Sequence, residues 1–130
     1  PEGQLGSIIN LSSIASRNTR PELMGYSIAS AALEQMTRSM ALALAPERIR
    51  VNAVAFGSVM SASLKSSVVE HSDWREDITS HTPLGRIAGP AELTDAVQFL
   101  AAESSGFMTG EVITVDGGRS LLDVVSAPAH

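Results

Sequence analysis

The hydrophobic and polar positions of the chain fall into two kinds of pattern. Short runs rich in β-branched residues end at serine, glycine or aspartate, which is typical of buried strands. They lie at 6–13, within 48–57 and at 112–115. Segments of helix-forming residues, with apolar side chains three and four positions apart, predict helices. The long helices span 26–45 and 89–103, and two short ones span 60–69 and 73–79.

Strands and helices alternate along the chain, so the pattern predicts an α/β fold with a parallel sheet and right-handed crossovers. In such a sheet, ligands lie beyond the carboxyl ends of the strands. Here these ends carry residues 12–13, 56–58 and 116–117. The polar segment 58–82 follows the second strand, and we interpret it as a mobile segment that closes over a ligand.

The first long helix carries an apolar stripe with small alanines beside it. The stripe consists of Leu33, Met36, Met40 and Leu44, and Pro46 ends the helix. Two interpretations are open for this stripe. It packs in the core of the chain, or it forms a helix–helix interface between subunits.

The composition excludes several classes of function. The chain has 130 residues, 44% of them hydrophobic, and a net charge of −5, so it is one domain or part of one, and nucleic acid is not an expected partner. It contains no cysteine, which excludes disulfides and thiolate metal sites and favours a reducing compartment such as the cytoplasm. No apolar run reaches the length of a membrane span. The three histidines, His71, His81 and His130, show no ligand spacing, so no metal site is expected.

Ser13 and Tyr26 are the candidate catalytic pair. A serine at a strand end and the only tyrosine of the chain, at the start of the next helix, lie thirteen positions apart. Both positions face the same crevice of a β-loop-α unit, so the two hydroxyls can converge. A phenol has a reference pKa of about 10 and needs a nearby cation to act as a base near neutral pH. The alternative is that Tyr26 caps the helix and packs on the sheet.

At these positions the sequence resembles the C-terminal half of the classical short-chain dehydrogenase/reductase family. The resemblance extends from Gly6 to Gly118 and rests on six segments in order: INLSS, GYSIASAAL, RIRVNAVAFGSVMS, HTPLGRIAGPAEL, AVQFLAAES and TGEVITVDGG. It implies part of a Rossmann-like doubly wound sheet, in which residues 1–130 form a partial domain without the N-terminal dinucleotide-binding half. It also implies hydride transfer between NAD or NADP and a small carbonyl or alcohol substrate.

The resemblance assigns roles to particular residues. It implies that Tyr26 transfers a proton and that Ser13 orients the substrate oxygen. It implies that Gly57, Val59 and Ser61, together with Tyr26, line the cofactor. The family has a lysine four residues after the tyrosine, which lowers the pKa of the phenol and holds the nicotinamide ribose. In this chain that position is Ser30.

Three departures from the family pattern bear on activity. Ser30 can bond a ribose hydroxyl but carries no charge, and the only lysine, Lys65, lies in the polar segment. Phe56 replaces the family's proline before Gly57 and adds bulk near the nicotinamide, while Ser61 replaces its threonine. The glycine-rich turn that binds the pyrophosphate is absent from the sequence.

These features leave three hypotheses: the C-terminal part of an NAD(P)-dependent oxidoreductase, a non-catalytic subunit derived from the family, or a truncated product. The chain begins at Pro1, within a few residues of a strand, which suggests a fragment or a processed chain. The first hypothesis predicts a companion N-terminal segment. Homo-oligomers are expected, because the resemblance implies association through the long helix after the tyrosine, here 27–44, and through the last strand and helix, and because the half-sheet has apolar surface to cover.

Overall fold

A computed structural model describes residues 6–125, 127 and 128 of the chain. The strands are β1 (Gly6–Ser13), β2 (Ile49–Phe56) and β3 (Val112–Val115). The α-helices are α1 (Met24–Leu44), α2 (Ala62–Glu70), α3 (Ser72–Ser80) and α4 (Pro90–Ala101). Each element lies within two residues of its predicted bounds. The agreement follows because hydrophobic periodicity and flanking glycine and proline residues act locally.

All three strands run parallel, in the order β1-β2-β3. The register pairs Gly6 with Ile49 and Ser13 with Phe56, and the pairing of β2 with β3 ends at Phe56 and Val115. The carboxyl ends of the three strands are therefore level at one edge of the sheet. This arrangement confirms the predicted α/β fold and places the segments after the strands side by side.

Helices cover both faces of the sheet. On one face the amide of Asn10 donates to the hydroxyl of Thr37 in α1, at 3.0 Å. On the other face the hydroxyl of Ser7 donates to the carbonyl oxygen of Leu100 in α4, at 3.0 Å. Strand residues an odd number of positions apart point to opposite faces, so α1 and α4 lie on opposite sides. The predicted doubly wound arrangement is confirmed.

The face of α1 that packs on the sheet is largely polar. Its buried residues are Ser27, Ser30, Glu34, Thr37 and Ala41. The apolar stripe lies at the edge of this face, half-buried at Leu33, Met40 and Leu44 and 45% exposed at Met36. Core packing therefore accounts for the stripe only in part.

The buried Arg50 ties β2 to the carboxyl end of α4. Its guanidinium donates to the carbonyl oxygens of Ser105 at 2.9 Å and Leu100 at 2.8 Å, and no carboxylate among the described residues pairs with it. Carbonyl groups at the end of a helix lack intrahelical partners and carry partial negative charge. They therefore accept from a buried cation and fix α4 against the sheet without an ion pair.

The strand β1 is less buried than its sequence predicts. Most of its residues are half-buried, and Leu11 is 56% exposed. Within the described part of the chain β1 pairs only with β2, so no strand covers its other edge. The difference follows from this edge position, since the strand itself forms where predicted.

The C-terminal sequence SAPAH predicts a loose tail; its residues Ser126, Ala129 and His130 lie outside the described residues, as do residues 1–5. The polar segment contains α2 and α3, and its mobility stays a prediction. None of the helices in the described ranges combines the length and apolar character that crossing a membrane requires.

Candidate active site

A cavity of about 250 Å³ opens at the carboxyl edge of the sheet. Ser13 at the end of β1, Tyr26 in the first turn of α1 and Gly57 just after β2 all line it. The level strand ends and the short connection from β1 to α1 bring these three positions together. The cavity wall therefore combines two hydroxyl groups with a stretch of backbone that has no side chain.

Ser13 is half-buried and is the N-cap of a short 3-10 turn, Ile14–Ser16. Its Oγ accepts a 3.1 Å hydrogen bond from the backbone N–H of Ala15. No acceptor in the described ranges takes the hydroxyl hydrogen of Ser13, although the oxygen is held in place. That hydrogen is therefore available to a group bound in the cavity.

Tyr26 is 56% exposed, and its phenol makes no hydrogen bond to another residue in the part of the chain that the structure describes. This exposure does not fit the alternative in which the ring packs on the sheet. A phenol at a cavity wall is positioned to exchange a proton with a bound molecule.

Ser30 lies one turn after Tyr26 but is not part of the cavity wall. It is 6% exposed, and its carbonyl oxygen lies 3.3 Å from the hydroxyl oxygen of Ser12. A lysine has a four-carbon stem that can extend beyond such a buried position, whereas a serine side chain ends beneath the surface. The buried position of Ser30 therefore gives no support to a contact between its hydroxyl and the nicotinamide ribose.

Gly57 lies against Asp116, the residue after β3. A Cβ atom at position 57 would stand 2.9 Å from the Cβ of Asp116, so the packing of two strand ends requires glycine here, with or without a ligand. Opposing effects act on the pKa of the Asp116 carboxyl. Burial is the largest single effect and by itself would raise the pKa. The hydrogen bonds from Ser120 and Gly118 together outweigh burial, so the pKa of Asp116 lies below its ordinary value. The ionised carboxylate fixes the turn after β3.

Val59 and Ser61 lie beyond the wall of this cavity. Val59 forms an isolated parallel bridge with Ala88. Ser61 is the N-cap of α2, where its Oγ accepts a 3.2 Å hydrogen bond from the N–H of Leu64. These contacts fix the path of the chain after Gly57, and the cofactor role of Val59 and Ser61 stays a prediction.

Arg20 and Arg119 are cavity residues that the sequence reasoning missed. Both line the cavity with Ser13 and Tyr26, and Nη1 of Arg119 donates to Oγ of Ser58 at 2.9 Å. Arg20 lies in the loop after β1, and Arg119 follows the turn after β3. Their positions after strand ends are the signal that identifies them, because ligands bind at that edge of the sheet.

The two described histidines lie outside the wall of this cavity. The ring of His71 stacks on Trp74 with 4.1 Å between centroids, and Nδ1 of His81 lies 3.2 Å from a carboxylate oxygen of Asp77. Within residues 6–125, 127 and 128, no group of three or more His, Asp or Glu side chains is arranged to hold a metal ion.

The fold and the cavity together define a class of protein. Parallel strands with helices on both faces, and polar groups gathered at the carboxyl edge, are typical of Rossmann-like α/β domains. A family model described as enoyl-(acyl carrier protein) reductase matches residues 1–120. The chain belongs to the short-chain dehydrogenase/reductase family, as the resemblance predicted.

Three relatives are similar over most of this chain. Glucose 1-dehydrogenase of Gluconobacter oxydans is 37% identical over 119 residues, which cover 92% of this chain and 44% of that protein. A gluconate 5-dehydrogenase from Burkholderia cenocepacia, solved with NADP and tartrate, is 30% identical with a TM-score of 0.84, covering 92% of this chain and 46% of that one. An NADPH-bound short chain oxidoreductase from Pseudomonas aeruginosa, described as containing an atypical catalytic center, is 32% identical with a TM-score of 0.76, covering 86% and 45%.

Among the curated proteins that it matches, the chain spans less than half of each relative's length, with shares from 37% to 47%. What is similar is therefore one part of each relative.

Proposed function

We propose that this chain is the C-terminal part of an NAD(P)-dependent oxidoreductase that interconverts a carbonyl compound and an alcohol. The observation that carries the proposal is the presence of Ser13, Tyr26 and Gly57 in one cavity at the carboxyl edge of a parallel sheet. Residues 1–130 then form one half of a domain, and the other half covers the open edge of β1. Relatives solved with NADP or NADPH support this class of cofactor.

The residues present fit the nicotinamide end of such a cofactor, because two hydroxyls and the bare backbone of Gly57 share one wall. Gly57 would line that end, Val59 and Ser61 would line the cofactor beyond the cavity wall, and the bound nicotinamide would supply or accept the hydride. This sequence has no glycine-rich turn to bind the pyrophosphate of the cofactor, so the companion N-terminal segment would bind the pyrophosphate.

The chain's own part in the reaction is to hold and move a proton. In reduction, the phenol of Tyr26 donates its proton to the carbonyl oxygen, and in oxidation it takes the proton back. Ser13 donates its hydroxyl hydrogen to the same oxygen, since its Oγ is already held by the N–H of Ala15. A donor fixed in advance orients the substrate and stabilises the charge that develops on its oxygen.

The test is NAD(P)H-dependent reduction of simple aldehydes and ketones by the full-length protein, by which we mean residues 1–130 together with the companion N-terminal segment. We expect Tyr26→Phe to lower kcat by at least about a hundredfold, the usual lower limit for a general acid–base group, while cofactor binding is retained. Thr19→Val is the matched control, because it removes a hydroxyl from the same cavity wall. Equal turnover by wild type and Tyr26→Phe would contradict the role of Tyr26.

A second candidate is a non-catalytic subunit derived from the family. Two observations favour it: Ser30 is buried and supplies no cation, and Phe56 takes up space in the cavity wall. This candidate predicts binding of cofactor or partner without turnover, and no effect of Tyr26→Phe. A truncated product, the third hypothesis, predicts neither binding nor cooperative unfolding.

We infer that the protein also associates through α1. Ile28, Met36 and Leu42 are 64%, 45% and 82% exposed, and exposed apolar side chains on one helix are typical of an interaction surface. Sedimentation at micromolar concentration tests this, with a dimer or tetramer expected and a shift to smaller species in Leu42→Arg. A monomeric wild-type protein would contradict it. The cytoplasmic location stays a prediction.

A further inference from the structure

Two arginines link the candidate active site to a longer groove. Arg20 and Arg119 line the cavity that contains Ser13 and Tyr26, and they also line two neighbouring cavities of about 320 and 350 Å³. The same two side chains bound all three cavities, so the cavities adjoin one another, and we refer to them together as the groove. It extends from the hydroxyl pair toward α3, where Trp74 is part of its wall.

The inner end of this groove is positively charged. Arg20 and Arg119 are the only charged residues in the described wall of the cavity that contains Ser13 and Tyr26, in a chain whose net charge is −5. Asp77 lines both of the other two cavities, and Asp123 lines the outer one. Arg20 also lies 3.8 Å from Glu22, but both side chains are largely exposed, so this pair holds Arg20 only weakly.

Arg119 has a fixed position. It begins the short 3-10 turn Arg119–Leu121, and its Nη1 donates to Oγ of Ser58 at 2.9 Å. A guanidinium has five N–H donors, so a single hydrogen bond to Ser58 leaves several for a ligand. Its planar fork matches a carboxylate or a phosphate, which accept two hydrogen bonds side by side.

We propose that Arg20 and Arg119 bind an anionic group of the substrate, so that the substrate is a carbonyl or alcohol compound carrying a carboxylate or a phosphate. The reacting carbon lies at Ser13 and Tyr26, and the anionic group lies further along the groove. This inference rests on the proposed function, because it names the substrate class of the same cavity. Cofactor phosphates have the same chemistry, and the experiment distinguishes them.

Levulinate and its methyl ester are matched ketones that differ in charge. The full-length protein is titrated with each in the presence of NADP, and the fluorescence of Trp74, part of the groove wall and the only tryptophan of residues 1–130, reports binding without turnover. Levulinate is expected to bind at least about tenfold more tightly than the ester, a difference of about 1.4 kcal/mol. The preference falls as ionic strength rises.

Four variants test which residues cause the preference for levulinate over its methyl ester. Arg119→Gln and Arg20→Gln are each expected to reduce it severalfold, and Arg119→Lys to keep part of it. Arg20 is exposed, so Arg20→Gln tests the proposal even where Arg119→Gln disturbs the fold. Arg38→Gln is the matched control, because it removes the same charge from the outer side of α1, where Arg38 contacts Gln35.

Three outcomes overturn the proposal. The first is that wild-type protein binds levulinate and its methyl ester equally well. The second is that the preference for levulinate remains in both Arg20→Gln and Arg119→Gln. Alternatively, these variants weaken NADP and NADPH binding while the preference is unchanged, which assigns the arginines to cofactor phosphates. Turnover is a separate readout: failure to reduce either ketone, with the levulinate preference intact, contradicts the oxidoreductase proposal and supports the anion site.

Discussion

The hydroxyl of Ser12 donates a 2.7 Å hydrogen bond to the carboxylate of Glu34, and both residues are buried between β1 and α1. Glu34 lies one turn after Ser30 on the same face of the helix. The position where the family has its lysine is therefore next to a buried carboxylate. This relationship bears both on the stability of the chain and on the effect of restoring a cation.

Ser12→Ala is expected to destabilise the protein, because it removes the hydroxyl donor of a buried carboxylate. The expected loss is about 1.5–3 kcal/mol in the free energy of unfolding, the usual range for a hydrogen bond to a charged group. Denaturation of the full-length protein in urea measures it. Ser39→Ala, at an exposed position of α1, is the control. A loss of less than about 0.5 kcal/mol for Ser12→Ala would place the pair among ordinary surface contacts.

Ser30→Lys is expected to raise the rate of carbonyl reduction by the full-length protein. An ammonium group near the phenol of Tyr26 favours its ionised form, and each unit of pKa corresponds to about 1.4 kcal/mol, or tenfold. The rate and its pH profile are measured together. Ala29→Lys is the control, because it adds the same charge at an exposed neighbouring position.

Glu34 modifies this expectation. A lysine at position 30 has the Glu34 carboxylate one turn away and divides its interaction between that group and the phenol. Adding Glu34→Gln to Ser30→Lys should therefore raise the rate further. A variant that binds cofactor but reduces carbonyl compounds no faster than the parent would show that the absent lysine does not limit the rate.

Gly57→Ala is expected to destabilise the protein and to disturb the candidate active site. The new Cβ would stand 2.9 Å from the Cβ of Asp116, and overpacking of this kind costs about 1–3 kcal/mol. Gly25→Ala is the matched control. It lies in the first turn of α1 with no atom within 4 Å of a new Cβ, so it should be neutral or stabilise by up to about 1 kcal/mol. Equal melting temperatures for the two variants would contradict the close packing of β2 and β3.

The ion pair between Arg86 and Glu92 predicts a loss of stability in acid. The hydrogen bond from Arg86 and that from the N–H of Gly89 lower the pKa of Glu92 from 4.5 to about 2. A carboxyl whose pKa is lower in the folded state stabilises the fold above pH 4.5, and this contribution is lost as the pH falls from 4.5 to 2.

Unfolding free energies between pH 7 and pH 2 measure this loss. The difference between wild type and Glu92→Gln should be constant above about pH 5 and should shrink below it. Asp95→Asn, on the same helix but outside the ion pair, is the control. A difference that does not change with pH would contradict the assignment to Glu92.

The sequence alone determined the elements of this protein and the order in which they occur. Strand and helix periodicity, with glycine and proline at the ends, act over a few residues, so the strand at Val112–Val115 was predicted with its observed bounds. The spacing of Ser13 and Tyr26 placed them at neighbouring ends of a strand and a helix, and the fold brings both to one cavity.

Only the tertiary structure decided which faces are buried and which distant residues meet. It buried Ser30 and Glu34 against β1 and left Met36 at the edge of the packed face, because the packing of α1 on the sheet, and not hydrophobicity alone, sets its inner side. It also brought Arg20 and Arg119 to one cavity, since the parallel order of the strands gathers distant loops at their carboxyl ends. Local sequence patterns place a residue after a strand end, but they do not determine which distant residues meet there.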